Sequence, residues 1–193
     1  MENNFICMAP FSDIEIDEKG NVYYCCPEYT NYYVAGNIFE QSFDEIWNGE
    51  KTKNFRQDVI EGKYSHCNRI ICNYGNSSPV KEPPSLDASY PKFINLAYDK
   101  TCNLMCKTCR DTVIKEEDYS EEEWNNTIEK YYVPICKNAK ELVINTTGEC
   151  LISKKSRALI KKLTETYPEL KFSIMTNGTA CNEKNIESDT KMT

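Results

Sequence analysis

Residues 102–109 of the chain read Cys-Asn-Leu-Met-Cys-Lys-Thr-Cys. It carries three thiols in the spacing C-x3-C-x2-C, directly after an apolar run at residues 93–98 that predicts a strand. Structural zinc takes four ligands, whereas a 4Fe–4S cluster held by three thiolates keeps one iron open. The spacing therefore favours an iron–sulfur cluster, and a zinc knuckle with a distant fourth ligand is the alternative.

Strands and helices alternate through the second half of the chain. Further strands are predicted at residues 141–145 and 171–175. A capping box at residues 120–123 and the apolar stripe of residues 153–167 predict the helices that precede them. This order predicts an α/β fold with a parallel sheet and right-handed crossovers, whose functional loops lie at the C-terminal ends of the strands.

The cysteine loop resembles the cluster loop of the radical S-adenosylmethionine (radical SAM) enzymes, including its Cys-Asn-Leu opening. The second strand ends in Thr-Thr-Gly-Glu at residues 146–149, which is similar to that family's Gly-Gly-Glu motif with Thr147 in place of the first glycine. The third strand runs into Thr-Asn-Gly at residues 176–178, as in relatives. The residue before the third cysteine, often aromatic in the family, is Thr108 here.

The resemblance implies a set of site residues and a reaction. Cys102, Cys106 and Cys109 would ligate the cluster, and its open iron would bind the amino and carboxylate groups of S-adenosylmethionine (SAM). Glu149 would accept a hydrogen bond from that amino group. Further contacts with the cofactor are expected from Thr147, Gly148 and Asn177. The implied reaction is reductive cleavage of SAM to methionine and a 5′-deoxyadenosyl radical that takes hydrogen from a substrate.

The first half of the chain is predicted to hold a hairpin and a helix. Short alternating runs at residues 14–16 and 22–24 flank a loop that contains Gly20, as in a hairpin. A capping box at residues 42–45 opens a helix that runs toward residue 60, with a break at residues 48–49. Because this part is small and has few long aliphatic side chains, we expect it to need a cross-link or a bound metal group to be stable.

Four cysteines can stabilise this part of the chain by binding such a group. The first half carries a C-x12-G-x4-C pattern followed by C-x4-C, formed by Cys7, Gly20, Cys25, Cys67 and Cys72. These patterns resemble the twitch domain, the shorter relative of the SPASM domain, which implies an auxiliary 4Fe–4S cluster on the four cysteines. Cys25 is the better ligand by spacing, but Cys26 could replace it. A zinc site on the same four thiols is the alternative.

These patterns predict two domains and a linker. A twitch/SPASM-like domain is expected at residues 1–76, a Ser/Pro-rich linker at 77–91, and the N-terminal part of a radical SAM core at 92–193. The expected architecture is a small α+β cluster-binding domain followed by a partial (βα) radical SAM barrel of about three strands. The six βα units of the family's barrel need on the order of 190 residues. The chain is therefore expected to be truncated relative to that family.

Composition narrows the class of protein and its compartment. The 193 residues include eleven cysteines but one histidine, His66, which argues against a His-rich zinc hydrolase. The net charge of −7 argues against a nucleic-acid partner. We find neither a signal peptide nor the roughly 20 apolar residues that cross a bilayer. A cytoplasmic protein with reduced thiols is therefore expected; Cys136, Cys150 and Cys181 are expected to be free.

The leading hypothesis is a radical SAM enzyme with an auxiliary iron–sulfur cluster that modifies a peptide or protein. The resemblance implies a reductant partner such as flavodoxin or ferredoxin, and no nucleic-acid or membrane partner is expected. Two alternatives stay open: an iron–sulfur electron-transfer protein that truncation has made catalytically inactive, and a structural zinc protein. Metal identity and SAM cleavage distinguish the three.

Overall fold

Six strands form one mixed sheet in the computed structural model, which describes residues 6–72, 82–144 and 147–181. Their order across the sheet is β3-β2-β1-β4-β5-β6. The strands are β1 (Asp13–Asp17), β2 (Asn21–Tyr23), β3 (Gly36–Asn37), β4 (Phe93–Ala97), β5 (Glu141–Ile144) and β6 (Lys171–Ile174). The sheet and its flanking helices confirm a mixed α/β fold, with strands at the three positions predicted in the second half.

The hairpin of the first half belongs to the same sheet as the strands of the second half. β2 pairs antiparallel with β1 and with β3, which confirms the predicted hairpin. β1 also pairs in parallel with β4, from Asp13 opposite Phe93 to Asp17 opposite Ala97. β4 with β5 and β5 with β6 are parallel as well. The two predicted domains thus share a sheet; their boundaries remain a prediction, and residues 77–81 of the linker lie outside the described residues.

Helices connect the strands and cover one side of the sheet. They are α1 (Ala9–Ser12), α2 (Phe43–Trp47), α3 (Glu50–Ile60), α4 (Glu121–Thr127), α5 (Val133–Ile135) and α6 (Lys154–Thr166). A π-helical turn, Ile128–Tyr132, joins α4 to α5, and Cys136–Asn138 follows α5 as a 3-10 turn. Among the described residues, no helix is long and apolar enough to cross a membrane.

Serine residues cap the N-termini of α2 and α4 at the positions that the sequence predicts. At α2, the Ser42 hydroxyl accepts from the Glu45 N–H at 3.3 Å, and the Glu45 carboxylate accepts from the Ser42 N–H at 2.9 Å. Gly49 separates α2 from α3, because a Cβ there would clash with the Glu45 carbonyl. At α4, the Ser120 hydroxyl accepts from the Glu123 N–H at 3.3 Å. Capping thus fixes these helix starts locally.

The two faces of the sheet differ in character. One face carries the buried core positions Ile14, Ile16, Ile94, Leu96, Leu142 and Ile144, each at most 2% exposed. These side chains share a core with helix residues such as Phe55 and Leu159. The alternate positions on the same strands include Glu15, Asn95 and Glu141, which are partly exposed. In the described residues, the helices therefore pack on one face, and the opposite face is open and mixed, with Phe93 and Val143 beside the polar side chains.

Candidate functional site

Cys102, Cys106 and Cys109 lie on one loop directly after β4. The Cys102 N–H donates to Ile114 O at 2.8 Å and the Cys102 carbonyl accepts from the Ile114 N–H at 3.2 Å, so this buried cysteine is firmly held. The Cys109 N–H donates to Cys106 O at 2.9 Å in a turn, and both of these cysteines are exposed. The loop therefore anchors one thiol in the protein and leaves the other two accessible.

Arg110, which follows the third cysteine, ties this loop to two neighbouring segments. Its guanidinium donates to Lys100 O at 2.7 Å and to Thr147 O at 2.6 Å. The Nη2 atom also lies 3.4 Å from Cys109 Sγ. The hydrogen bond to Cys109 raises the pKa of the Arg110 guanidinium, and the negative charge of the other two thiols of the loop adds to this. Arg110 therefore places a cation in direct contact with the third cysteine of the loop.

The loop after β6 reaches the cysteine loop through Asn177. Its Nδ2 atom lies 3.8 Å from Cys102 Sγ and donates to Asn103 Oδ1 at 3.0 Å. Asn103 Nδ2 in turn donates to Thr179 Oγ1 at 2.8 Å. The Thr-Asn-Gly segment and the first cysteine thus meet at the C-terminal edge of the parallel strands.

Glu149 is fully buried and accepts three hydrogen bonds from the chain itself. Its Oε1 atom accepts from the Leu151 N–H at 3.0 Å and from Thr176 Oγ1 at 2.8 Å. Its Oε2 atom accepts from the Asn177 N–H at 2.6 Å. Glu149 therefore joins the loops after β5 and β6. Because a carboxylate oxygen has two lone-pair directions, Oε2 retains capacity for one more donor, and contact with the SAM amino group remains a prediction.

Thr147 and Gly148 are half-buried in the loop after β5. The Thr147 hydroxyl lies 3.3 Å from Ala97 O and 3.2 Å from Asp99 O, and donates to this pair of carbonyls. This side chain therefore holds the loop after β5 against the end of β4. Thr146, the first residue of the Thr-Thr-Gly-Glu stretch, lies outside the described residues.

Asp99 and Ser153 form a buried polar pair that the sequence analysis missed. The Ser153 hydroxyl donates to Asp99 Oδ2, and Asp99 Oδ1 accepts from the Thr101 N–H at 2.8 Å. Ser153 also caps α6 by accepting from the Ser156 N–H at 3.0 Å. The pair therefore fixes the chain just before the cysteine loop to the start of α6. A serine at the N-cap position signals the cap, but its acidic partner lies 54 residues away in sequence.

The thiols of Cys7, Cys25, Cys67 and Cys72 lie near one another. Burial raises the pKa of Cys25, and the electrostatic influence of Cys7, Cys67 and Cys72, and to a smaller extent of the adjacent Cys26, raises it further. Burial likewise raises the pKa of Cys67 to about 11, with contributions from Cys7 and Cys72. The structure thus brings together the four thiols predicted to hold the auxiliary group.

Cys26 points to a different neighbour. Its Sγ atom donates to Glu28 Oε2 at 2.7 Å. Burial, followed by this hydrogen bond, raises the pKa of Cys26 to about 11. This arrangement supports Cys25 over Cys26 as the ligand, which remains a prediction until iron content is measured.

The chemistry of the two thiol groups fits an iron–sulfur cluster or zinc, because thiolates are soft ligands that bind both. Among the described residues, no three or more His, Cys, Asp or Glu side chains are already arranged to hold a metal ion. Ligation therefore requires these side chains to close around the group, as is common where metal binding is coupled to folding. The ring of His66 packs against that of Tyr33, with 4.2 Å between the two ring centroids.

A cleft of about 540 Å³ opens on the uncovered face of the sheet, next to Cys25 and Cys26. Asn95 Nδ2 donates to Glu15 Oε2 at 2.7 Å, whereas the buried Asn95 Oδ1 has no hydrogen-bond partner among the described residues. Burial raises the pKa of Glu15 to about 7 and that of Asp13 to about 6. The polar part of this cleft therefore consists of an unpartnered amide oxygen, two carboxyl groups that keep a proton more readily than usual, and thiols.

Residues 7–73 match the SPASM family, an iron–sulfur cluster-binding domain. This segment is therefore similar to the SPASM domains of that family. The matched residues contain the four thiols predicted to hold the auxiliary group, Cys7, Cys25, Cys67 and Cys72. They also include the hairpin and helices α2 and α3.

The chain is also similar to an S-adenosyl-L-methionine-dependent 2-deoxy-scyllo-inosamine dehydrogenase of Niallia circulans, with 36% identity over 84 residues. The match covers 44% of this chain and 33% of that relative, so the two proteins share a segment about a third of the relative's length. Together with the SPASM domain, this relative confirms the predicted resemblance to a radical SAM protein that carries a SPASM domain. No solved structure matches the chain.

Proposed function

We propose that the chain binds two 4Fe–4S clusters and SAM, and that it acts in the reductive cleavage of SAM. The SAM-binding cluster would be held by Cys102, Cys106 and Cys109. The auxiliary cluster would be held by the SPASM domain through Cys7, Cys25, Cys67 and Cys72. The three parallel strands β4 to β6, with helices on one face, would then be the first part of a partial (βα) barrel.

The observation that carries this proposal is the meeting of three strand-end loops at one edge of the sheet. The cysteine loop follows β4, the Glu149 loop follows β5, and the Asn177 loop follows β6. Arg110 connects the first two through Thr147 O, and Glu149 connects the last two through the Asn177 N–H. Ligand sites of open α/β sheets lie outside the carboxyl ends of the strands, which is where these groups converge.

The chain's own residues have distinct roles in this proposal. Cys106 and Cys109 are exposed and able to close on a cluster, while Cys102 is fixed by its backbone pairing with Ile114. Glu149 would accept from the SAM amino group through the free capacity of Oε2, and Asn177, Thr147 and Gly148 would form the surrounding wall. The bound cluster supplies the electron for cleavage; the protein supplies position and the exclusion of water.

The cleft on the open face is the proposed position of the substrate. Its volume of about 540 Å³ falls within the range of small-molecule sites, and the unpartnered Asn95 Oδ1 favours a substrate that donates a hydrogen bond. Such donors are present on a peptide or protein segment, the substrate class proposed here, with flavodoxin or ferredoxin as the reductant. The relative's printed substrate, an inosamine, provides a small-molecule compound to test in the same assay.

A second candidate function is an iron–sulfur electron-transfer protein without SAM cleavage. The observation that favours it is the existing hydrogen bonding of Glu149, which is fully buried and already accepts from three donors of its own chain. In that case the carboxylate would hold the loops together and would not bind SAM.

Product analysis distinguishes these functions. Anaerobically reconstituted protein is reduced with dithionite, mixed with SAM, and assayed for methionine and 5′-deoxyadenosine, with zinc, iron and sulfide quantified in parallel. Cleavage that is lost in Cys102→Ala but kept in Cys181→Ala, an exposed thiol outside both groups, supports the proposal. Iron without cleavage supports the electron-transfer function. Zinc in place of iron contradicts both.

A further inference from the structure

We propose that Arg110 is a positioning residue that raises the reduction potential of the group held by Cys102, Cys106 and Cys109. The inference rests on the proposed function, because it concerns the same cysteine loop. It goes beyond ligation, since Arg110 supplies no ligand atom. Its guanidinium places a positive charge beside one of the ligand sulfurs.

The guanidinium is fixed by two short hydrogen bonds to backbone carbonyls. One runs to Lys100 O at 2.7 Å, just before the cysteine loop, and the other to Thr147 O at 2.6 Å, in the loop after β5. Both carbonyls belong to segments anchored by other contacts: Thr147 through its hydroxyl on the β4 end, and the chain after Lys100 through Thr101. The cation therefore cannot move away from the thiol without breaking both bonds.

The Arg110 Nη2 atom that donates to Thr147 O also lies 3.4 Å from Cys109 Sγ, within the range of an N–H to sulfur hydrogen bond. Hydrogen bonds from a charged donor are stronger than those between neutral groups. One-electron reduction adds a negative charge that is shared with the ligand sulfurs, and hydrogen bonds to those sulfurs help to set the potential. A fixed cation at Cys109 therefore stabilises the reduced form more than the oxidised form.

A neutral donor occupies the other end of the loop. Asn177 Nδ2 lies 3.8 Å from Cys102 Sγ, which is a longer and uncharged contact. The two ends of the loop thus differ in charge, and the asymmetry identifies Arg110 as the side chain whose removal should change the potential most.

The test is an EPR-monitored redox titration of the anaerobically reconstituted full chain, with dithionite as the electron donor. The signal of the loop is assigned by its loss in Cys102→Ala. Arg110→Met is expected to shift the midpoint of that signal to more negative potential, and Arg110→Lys, which keeps the charge, to shift it less. Arg157→Met is the matched control, because Arg157 donates to Leu151 O at 2.9 Å and has no thiol contact in the described structure.

An unchanged midpoint in Arg110→Met overturns the proposal, because a residue that merely holds the loop would alter iron content without altering the potential. If Arg110→Met does not take up iron, Arg110→Gln takes its place, and an unshifted midpoint in that neutral variant overturns the proposal equally. A wild-type signal that ignores SAM would contradict the proposed function while leaving this comparison of midpoints intact. The two failures are therefore distinguishable.

Discussion

The Glu149 carboxylate accepts a hydrogen bond from the backbone N–H of Asn177 at 2.6 Å. Through this bond, a buried acid in the loop after β5 fixes the residue whose side-chain amide lies against Cys102 Sγ. Glu149 thus has a structural role at the site whether or not a ligand is bound. Its predicted part in binding SAM has to be separated from that role by experiment.

Substitution of Glu149 tests both roles. Glu149→Ala should lower the free energy of unfolding by about 2–4 kcal/mol, because it leaves three buried donors without an acceptor. SAM affinity should also fall by about tenfold or more, since a charged hydrogen bond to the ligand is lost. Chemical denaturation and calorimetric titration with SAM measure the two effects.

Thr176→Val is the control for this pair, because it removes one donor to Glu149 and leaves the carboxylate in place. It should lower the free energy of unfolding by about 1 kcal/mol and leave SAM affinity within about threefold of wild type. Wild-type SAM affinity in Glu149→Ala would restrict Glu149 to its structural role.

Arg56 is expected to be a major contributor to the stability of the fold around helix α3. The side chain is fully buried and donates to Pro10 O at 2.8 Å and to Leu86 O at 2.7 Å, with its guanidinium 4.4 Å from the Trp47 ring. Arg56→Met should lower the free energy of unfolding by about 2–4 kcal/mol, because buried carbonyls lose their donor. Urea denaturation measures the loss.

Lys53→Met provides the comparison for Arg56→Met. Lys53 pairs with Asp87 at 2.7 Å on the surface, and exposed ion pairs contribute less than about 1 kcal/mol. Equal losses in the two variants would show that the buried contacts of Arg56 add nothing to stability.

Glu15 should make the stability of the protein fall as pH rises. Burial raises its pKa from 4.5 to about 7, and the charges of Glu28 and Asp17 add to this. Between these two pH values the folded state holds a proton that the unfolded state has lost, so stability decreases through this window and levels off above pH 7. Glu15→Gln should therefore be more stable than wild type at pH 8 by on the order of 1 kcal/mol, with no gain near pH 4.5.

Thermal unfolding across this pH range tests the prediction, with the exposed Glu40→Gln as the control. A Glu15→Gln profile parallel to that of wild type would mean that Glu15 does not titrate in this window.

The choice between Cys25 and Cys26 is settled by iron content. Cys25→Ala should remove the iron and sulfide of the auxiliary cluster, because Cys25 lies among Cys7, Cys67 and Cys72. Cys26→Ala should retain them, because its thiol is bonded to Glu28. The reverse result would assign Cys26 as the ligand.

Local patterns in the sequence predicted the elements well but not how the two halves assemble. The Ser42 capping box, the helix break at Gly49 and the strand preceding Cys102 each depend on a few adjacent residues. The parallel pairing of β1 with β4 is different, because its partners, such as Ile14 and Ile94, lie far apart in the chain. No short-range pattern encodes that pairing, so the sequence analysis did not predict that the two halves share one sheet.

The site shows the same division between what is local and what is not. The three cysteines were predicted from their spacing after a strand, and the Thr-Asn-Gly segment from its resemblance to radical SAM enzymes. The roles of Arg110 and Asp99 were missed, because their partners are the Thr147 carbonyl and the Ser153 hydroxyl, contributed by other loops. The cleft around Glu15 and Asn95 was missed for the same reason: it forms only when β1 lies beside β4.

The most direct test of the account is the EPR spectrum of the anaerobically reconstituted, dithionite-reduced protein, recorded with and without SAM. We predict a reduced-cluster signal that changes shape when SAM is added and that is absent in Cys102→Ala. A signal that SAM leaves unchanged would contradict the assignment of an open iron site to Cys102, Cys106 and Cys109.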